Sequence, residues 1–302
     1  MNTVLPTTIP AYLAQLRKSL EGADAAMIHD ALYDAEEYLR AELAANPGKT
    51  EAEVIADVAS SYGAPDEVAD IYRDTEVKVQ TALRPPRAVQ KKDNGPSVWQ
   101  KIFGVFVDSR TYGALFYMLL SIATGIFYFT WTVTGASLSL GLSILIIGLP
   151  FVVLFVGATR VLALVEGRLV EVMLGERMPR RPLYSDVEQP LLKRIGAMFT
   201  DARTWGTFLY FLLMLPLGLA YFTIAVTGLS TALALMFSPL ISLVSDNVVI
   251  VSIGGEDVVS NQPWLIPIVI LAGFVVLLLT MHVARWAGRL HGLIAKNLLV
   301  KN

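Results

Sequence analysis

The residues best suited to metal or proton chemistry are three histidines, His29, His282 and His291, and none has a second ligand three or four residues away. The chain has no cysteine, which excludes disulfides, thiolate nucleophiles and thiolate metal sites. It also has no nucleophile elbow and no phosphate-binding loop. We therefore expect no catalytic residue, no metal and no cofactor, with His29 solvated or capping and the other two histidines at lipid headgroups.

Two copies of an Asp-x-Arg-x-aromatic pattern each precede a long apolar run. Their residues are Asp108, Arg110 and Tyr112 in the first copy and Asp201, Arg203 and Trp205 in the second. An aspartate in front of a helix accepts backbone N–H groups, and arginine and aromatic side chains suit headgroup depth. We expect the aspartates to cap the helices that enter the membrane.

A second polar set consists of hydroxyl side chains expected near the outer ends of the first and third crossings. Its members are Tyr128, Thr130 and Thr134, with their equivalents Tyr221, Thr223 and Thr227. Hydrogen bonding between helices and anchoring at the interface is the favoured role, and a ligand cup beneath an outer loop is the alternative. The predicted spans hold no ionisable residue, which argues against ion coupling.

Both polar sets belong to a 28-residue segment that occurs twice, as Asp108–Gly135 and Asp201–Gly228. Fourteen of the 28 aligned positions are identical without a gap, which indicates an internal duplication. Beyond this segment the second copy carries an insertion around residues 238–262. Valine-rich stretches there flank Gly254-Gly255 and predict a β-hairpin.

The elements that carry these residues are predicted to be membrane helices. The chain is 54% hydrophobic and 17% charged, whereas soluble domains are about 25% charged. The 49 residues from Thr111 to Thr159 hold no charge, and as one helix they would reach about 73 Å, more than twice a hydrocarbon core. We expect them to cross twice, with a turn at residues 133–137.

The remaining apolar runs predict a third crossing over residues 205–227 and a fourth over residues 264–283. A fifth crossing through residues 229–244 would place Arg285 and Arg289 outside. We therefore expect residues 229–244 to form a partial or interfacial helix on the outer side.

The charge distribution predicts the topology. All 18 Lys and Arg residues after residue 80 fall in three segments, residues 84–110, residues 160–203 and the tail from Arg285, and the two other connections have none. Basic residues mark the cytoplasmic side. The sequence therefore predicts a membrane protein with four crossings and cytoplasmic termini, and the N-terminus shows no signal peptide.

Residues 1–80 predict a different environment, with 15 acidic against 6 basic residues. Apolar stripes, a capping box at Thr50 and Glu53, and stops at Gly22 and Gly63 indicate four short helices. A net charge of -9 argues firmly against direct nucleic-acid binding by this domain. The acidic surface could meet a basic partner, although solvation is the simpler interpretation.

The predicted fold class is an all-α integral membrane protein with a small cytoplasmic helical domain and a duplicated (2+2) transmembrane domain. The predicted boundaries are 1–80 for the acidic domain, 81–97 for a basic proline-rich linker, 98–187 for the first membrane repeat and 188–302 for the second. Each repeat begins with an interfacial helix, at Trp99–Phe106 and at Leu191–Phe199.

Parts of the sequence resemble two known families. The segments Tyr12–Leu20 and Ser61–Ala69 resemble the HAAS-type helical signalling domain of bacteria, which implies a PadR-like winged-helix regulator as partner. The duplicated segment resembles the "putative sensor" membrane domain of bacterial histidine kinases and stand-alone regulators. No phosphoacceptor or ATP-binding domain follows the last crossing, so the resemblance implies sensing and no kinase activity.

Three functions remain open at this stage. The leading hypothesis is a membrane sensor or regulator whose acidic domain binds a cytoplasmic protein. The second is a structural or accessory membrane protein that docks an enzyme or transporter. The third, an enzyme acting on lipid headgroups, would depend on the two Asp/Arg pairs. The expected partners are the bilayer and a cytoplasmic protein, and the chain could also form a homo-oligomer.

Overall fold

The computed structural model describes residues 5–83, 98–144, 148–181, 196, 200–242, 252–253, 256–257 and 262–300. The described chain is almost wholly helical, as expected. Four of its helices are long and apolar enough to cross a membrane, over Ser109–Leu142, Pro150–Leu174, Ala202–Ile241 and Pro263–Leu299. The chain is therefore a multi-pass membrane protein.

The front domain contains the four predicted helices. They are α1 (Ile9–Ser19), α2 (Ala25–Ala45), α3 (Glu51–Ser61) and α4 (Pro65–Leu83). The capping box is present, because the Thr50 N–H donates to Glu53 Oε2 at 2.8 Å and the Glu53 N–H donates to Thr50 Oγ1 at 3.4 Å. Gly63 has a φ of +117°, which favours glycine, and its carbonyl accepts the buried Tyr12 hydroxyl at 2.8 Å.

The membrane half begins with a short helix and continues with long ones. They are α5 (Val98–Phe103), α6 (Ser109–Leu142), α7 (Gly148–Leu174), α8 (Ala202–Ser242) and α9 (Ile266–Leu299). A 3₁₀ turn, Gly104–Phe106, joins α5 to the residues before α6. Trp99 stacks on Phe103 in the predicted first interfacial helix, whereas all of the predicted second one except residue 196 lies outside the described residues.

The predicted turn at residues 133–137 is wrong, because α6 continues through it to Leu142. That stretch contains no proline, and one glycine in a helix costs only about 1 kcal/mol. Gly135 is where the Phe155 ring of α7 packs, since a Cβ at Gly135 would lie 2.0 Å from it. The glycine therefore allows close helix packing and does not end the helix.

The predicted partial helix at residues 229–244 is also wrong, because the described part of that stretch continues α8 without a break to Ser242. The helix has 41 residues, or about 61 Å at a rise of 1.5 Å per residue. Pro216 and Pro239 both lie inside it. Long apolar helices tolerate proline when neighbouring helices support the freed carbonyl, so proline here does not mark a boundary.

Two fragments of the insertion are described. Ser252–Ile253 (β1) pairs antiparallel with Glu256–Asp257 (β2), with Ser252 opposite Asp257 and Ile253 opposite Glu256. The valine-rich parts of the predicted hairpin lie outside the described residues.

The chain divides into two compact units, each made of separate stretches of the sequence. The first unit comprises Met1–Arg84, Thr134–Tyr210 and Ile294–Asn302, and the second comprises Pro85–Val133 and Phe211–Leu293. The front domain therefore shares a unit with α7, the start of α8 and the end of α9.

In the second unit, α6 and α8 approach each other at equivalent glycines of the two copies, Gly125 and Gly218. A Cβ on Gly125 would lie 2.5 Å from the Met214 carbonyl oxygen, and one on Gly218 would lie 2.2 Å from that of Ser121. The two contacts are mirror counterparts, since Ser121 and Met214 are also equivalent positions. Small residues at both sites let the two backbones touch.

The direction of this helix pair differs from the sequence expectation. Tyr128 of α6 stacks on Phe211 of α8 with ring centroids 4.3 Å apart, and Met118 shares a core cluster with Tyr221. Later residues of α6 thus contact earlier residues of α8, so the two helices run antiparallel where they touch. The predicted topology requires a parallel pair. Identical small-residue stripes can meet in either direction, and sequence identity does not choose between them.

Candidate functional site

The structure places Asp108 and Asp201 directly before α6 and α8. One oxygen of Asp108 accepts the Arg110 N–H at 3.1 Å, and one oxygen of Asp201 accepts the Arg203 N–H at 3.0 Å. The same local geometry therefore recurs in both copies. Of the two aromatic residues in the pattern, Tyr112 and Trp205, each is about half exposed.

The second oxygen of each aspartate meets an arginine of another helix. In the second unit Asp108 pairs with Arg285 of α9 at 2.8 Å. In the first unit Asp201 pairs with Arg160 of α7 at 3.2 Å. Each aspartate thus joins the start of one copy to the second long helix of the other copy.

The predicted hydroxyl set does not face one common space. Tyr128 and Tyr221 are buried and contact different rings, those of Phe211 and His291 respectively. The four threonines, in contrast, have exposed side chains; they are Thr130, Thr134, Thr223 and Thr227. A ligand cup formed by these residues stays a prediction.

His291 is fully buried, and the expectation of a headgroup contact for it is wrong. Its Nε2 atom lies 2.6 Å from the hydroxyl of Tyr117, which is also buried. The equivalent tyrosine of the second copy, Tyr210, donates to Glu166 Oε1 at 2.8 Å. Glu166 is fully buried in α7. The uncharged run ends at Thr159, and α7 continues past it.

The most extensive polar arrangement among the described residues joins the acidic front domain to the segment after α7, residues 175–181, here called the connector. Arg177 lies at its centre and is 9% exposed. Its Nη2 atom donates to Asp30 Oδ2 of α2 at 3.0 Å, and its Nε atom donates to Glu76 Oε2 of α4 at 3.3 Å. Glu171 of α7 lies 3.7 Å away on a third side.

Besides this ion pair, Asp30 accepts hydrogen bonds from the backbone of the connector. Its Oδ1 atom accepts the backbone N–H groups of Arg180 at 2.7 Å and Arg181 at 3.0 Å. Burial acts to raise the pKa of Asp30, but the neighbouring His29 imidazole, the Arg180 and Arg181 N–H groups and the Arg177 charge outweigh it and lower the pKa. The Asp30 carboxylate is therefore held in its charged form against the connector.

Further pairs surround this centre. Arg181 Nε lies 2.8 Å from Asp34 Oδ1, and the Tyr72 hydroxyl donates to Asp34 Oδ2 at 2.7 Å. At the end of the last helix, the Lys296 ammonium pairs with Asp24, the residue that caps α2. The front domain thus contacts both the connector and the C-terminal end of α9.

At this ionic junction four front-domain carboxylates meet cations supplied by the membrane half of the same chain; they are Asp24, Asp30, Asp34 and Glu76. Buried ion pairs contribute little net stability, but removing one partner costs about 3–5 kcal/mol because the other charge stays buried. The arrangement therefore specifies one docked geometry. The signal in the sequence was the charge asymmetry, which did not reveal that the two halves meet.

The described residues contain no group of three or more His, Cys, Asp or Glu side chains positioned to hold a metal ion. The chemistry of the junction is recognition between charges.

Comparison with known proteins gives one family. The sequence profile of the family described as "Putative sensor" matches residues 117–299, more than half of the chain. Neither the curated proteins nor the solved structures give a match.

Proposed function

We propose that this chain, which belongs to the family described as "Putative sensor", is a membrane-embedded sensor that regulates a cytoplasmic protein through its front domain. In the resting state the front domain is docked on the connector. A stimulus acting on the membrane helices loosens the docking and uncovers the acidic surface. The observation that carries the proposal is the burial of Arg177 among three carboxylates.

Such a junction suits a switch because its stability depends steeply on geometry. Arg177 follows the end of α7 by only three residues, so a tilt or shift of α7 moves the guanidinium directly. When Arg177 leaves, the carboxylates of Asp30, Glu76 and Glu171 must regain water together. Movement of one membrane helix is thereby converted into release of a cytoplasmic domain.

The partner should carry a basic face, because the released surface presents Asp30, Asp34 and Glu76. The resemblance of the front domain to HAAS-type signalling domains favours a PadR-like winged-helix regulator in this role. The net charge of -9 argues against direct binding of the front domain to nucleic acid.

We further propose that the membrane domain arose by duplication and that the front domain, the connector and both termini lie on the cytoplasmic side of a bacterial inner membrane. The eight basic residues of residues 160–203 support this sidedness for the connector. The pairing of Lys296 with Asp24 is consistent with it. A cysteine replacing Gly255, in the insertion with its proposed outer hairpin, should react with impermeant maleimide in intact cells, and one replacing Ser61 only after lysis.

The second candidate is a structural or accessory membrane protein. The two backbone hydrogen bonds to Asp30 would equally hold a permanent platform for an enzyme or a transporter. The two candidates differ in whether the docking must open. We propose no enzymatic activity, cofactor or metal for either.

The test compares binding of a purified PadR-like regulator to the full chain in nanodiscs for three forms of the protein. Arg177→Gln removes the central cation, whereas Arg73→Gln removes a half-exposed cation that pairs with Asp70 inside the front domain. The sensor proposal expects at least tenfold tighter binding to Arg177→Gln and unchanged binding to Arg73→Gln. Equal binding to all three forms would favour the permanent platform.

A further inference from the structure

A cavity in the first unit is lined by three arginines and a histidine from four separate segments. They are His29 of α2, Arg160 of α7, Arg181 of the connector and Arg203 of α8. No acidic residue is among the described residues that line it, and its empty volume is about 530 Å³ with its solvent-open mouth included. We propose that this cavity binds a phosphate-bearing anion.

Arg160 shows an unused hydrogen-bond donor at this cavity. Its Nη2 atom is satisfied by Asp201 Oδ2 at 3.2 Å and by Thr204 Oγ1 at 3.0 Å. Its Nε atom is buried and has no hydrogen-bond partner within the described part of the chain. A buried donor without an acceptor is unfavourable, and an oxygen of a bound anion would satisfy it.

The lining of the cavity favours an anion. Three guanidinium groups line it, and the carboxylates that pair with two of them, Asp201 with Arg160 and Asp34 with Arg181, are not among its lining residues. The guanidinium fork matches phosphate oxygens in geometry as well as in charge.

The position of the cavity relates it to the membrane surface. Arg160 is the first charged residue after the uncharged run, and Arg203 lies two residues before the exposed Trp205. Both features mark headgroup depth. The phosphate could therefore belong to an anionic lipid or to a free phosphate ion, and the chemistry of recognition is shared.

A bound anion would stabilise the docking of the front domain on the connector. The anion would bridge His29 of the front domain, Arg181 of the connector and the arginines of α7 and α8. A ligand that binds only the docked form stabilises that form by mass action. This consequence rests on the proposed function, whereas the binding itself does not.

The experiment titrates inorganic phosphate into the purified full chain in a neutral detergent at constant ionic strength. Saturable binding is expected, with affinity at least tenfold weaker in Arg203→Gln and unchanged in Arg73→Gln. Ala163→Phe, which fills the cavity and leaves every charge in place, should weaken binding equally. A parallel arm compares retention of phosphatidylglycerol and phosphatidylcholine by native mass spectrometry.

Phosphate binding without selective lipid retention would identify free phosphate as the ligand, and selective phosphatidylglycerol retention that both cavity variants abolish would identify a lipid. The proposal is overturned if the wild type binds neither, or if binding is the same in Arg203→Gln and Ala163→Phe as in the wild type. Amide exchange at Arg180 and Arg181 reports docking independently. If these amides are protected but the protein binds no phosphate, the anion-site proposal is rejected and the proposed sensor function is unaffected.

Discussion

Arg177 and Asp30 lie 147 residues apart and form an ion pair of 3.0 Å in which both side chains are more than nine-tenths buried. The pair links a small acidic domain to the residues that follow a membrane helix. Neither charge could be buried alone, because an isolated ion loses its hydration without compensation. The relationship therefore makes docking of the front domain dependent on where α7 ends.

The first prediction concerns pH. The lowered pKa of Asp30 means that its contribution to docking is present above the ordinary aspartate value of about 3.9 and is lost as the pH falls through the lowered pKa. The wild type should therefore lose stability in acid more steeply than Asp30→Asn. Melting temperatures in detergent from pH 7 to pH 3 measure the difference, and parallel curves for the two proteins would contradict it.

The second prediction concerns the caps of the long helices. Asp201→Ala removes both the hydrogen bond to the Arg203 N–H and the pair with Arg160, so it should cost more than a cap alone, which is worth about 1 kcal/mol. Asp201→Asn keeps the capping oxygen and should cost less. Thermal unfolding in detergent distinguishes the two. An unchanged melting temperature for Asp201→Ala would contradict the capping interpretation.

The third prediction concerns the direction of α6 against α8. Because the chain has no cysteine, paired cysteines can be cross-linked without background. Tyr128→Cys with Phe211→Cys should cross-link with a short bifunctional thiol reagent, since those rings stack at 4.3 Å. Met118→Cys with Phe211→Cys joins equivalent positions of the two copies and should not. The reverse result would indicate the parallel pair that the duplication alone suggested.

The sequence predicted the local features of the front domain well. The Thr50–Glu53 capping box and the left-handed Gly63 depend on neighbouring residues, so their chemistry is readable from a short stretch. The ends of α6 and α8 were missed because glycine and hydroxyl residues are weak stop signals in an apolar helix. Tertiary packing, such as Phe155 on Gly135, decides those positions.

The site itself was only half predictable. The acidic front half and the basic back half were evident from composition, but pairing of Asp30 with Arg177 depends on long-range folding. The buried contacts of Tyr117 and Tyr210 were hidden for the same reason. Identical residues in the two copies meet different partners, so the repeat predicted the positions and not their contacts.

The most direct measurement of the docked junction is hydrogen exchange at the amides of Arg180 and Arg181 in the full chain in nanodiscs. Both amides lie outside any helix, and Asp30 Oδ1 is the acceptor of both. Asp30→Ala removes that acceptor. Asp70→Ala, which removes an exposed carboxylate of the same domain, is the matched control.

The account predicts that both amides exchange at least tenfold more slowly in the wild type and in Asp70→Ala than in Asp30→Ala, while the α2 and α4 amides stay protected in all three proteins. Exchange of Arg180 and Arg181 at the rate of an unstructured peptide in the wild type would contradict the docked junction on which the proposed sensor function depends.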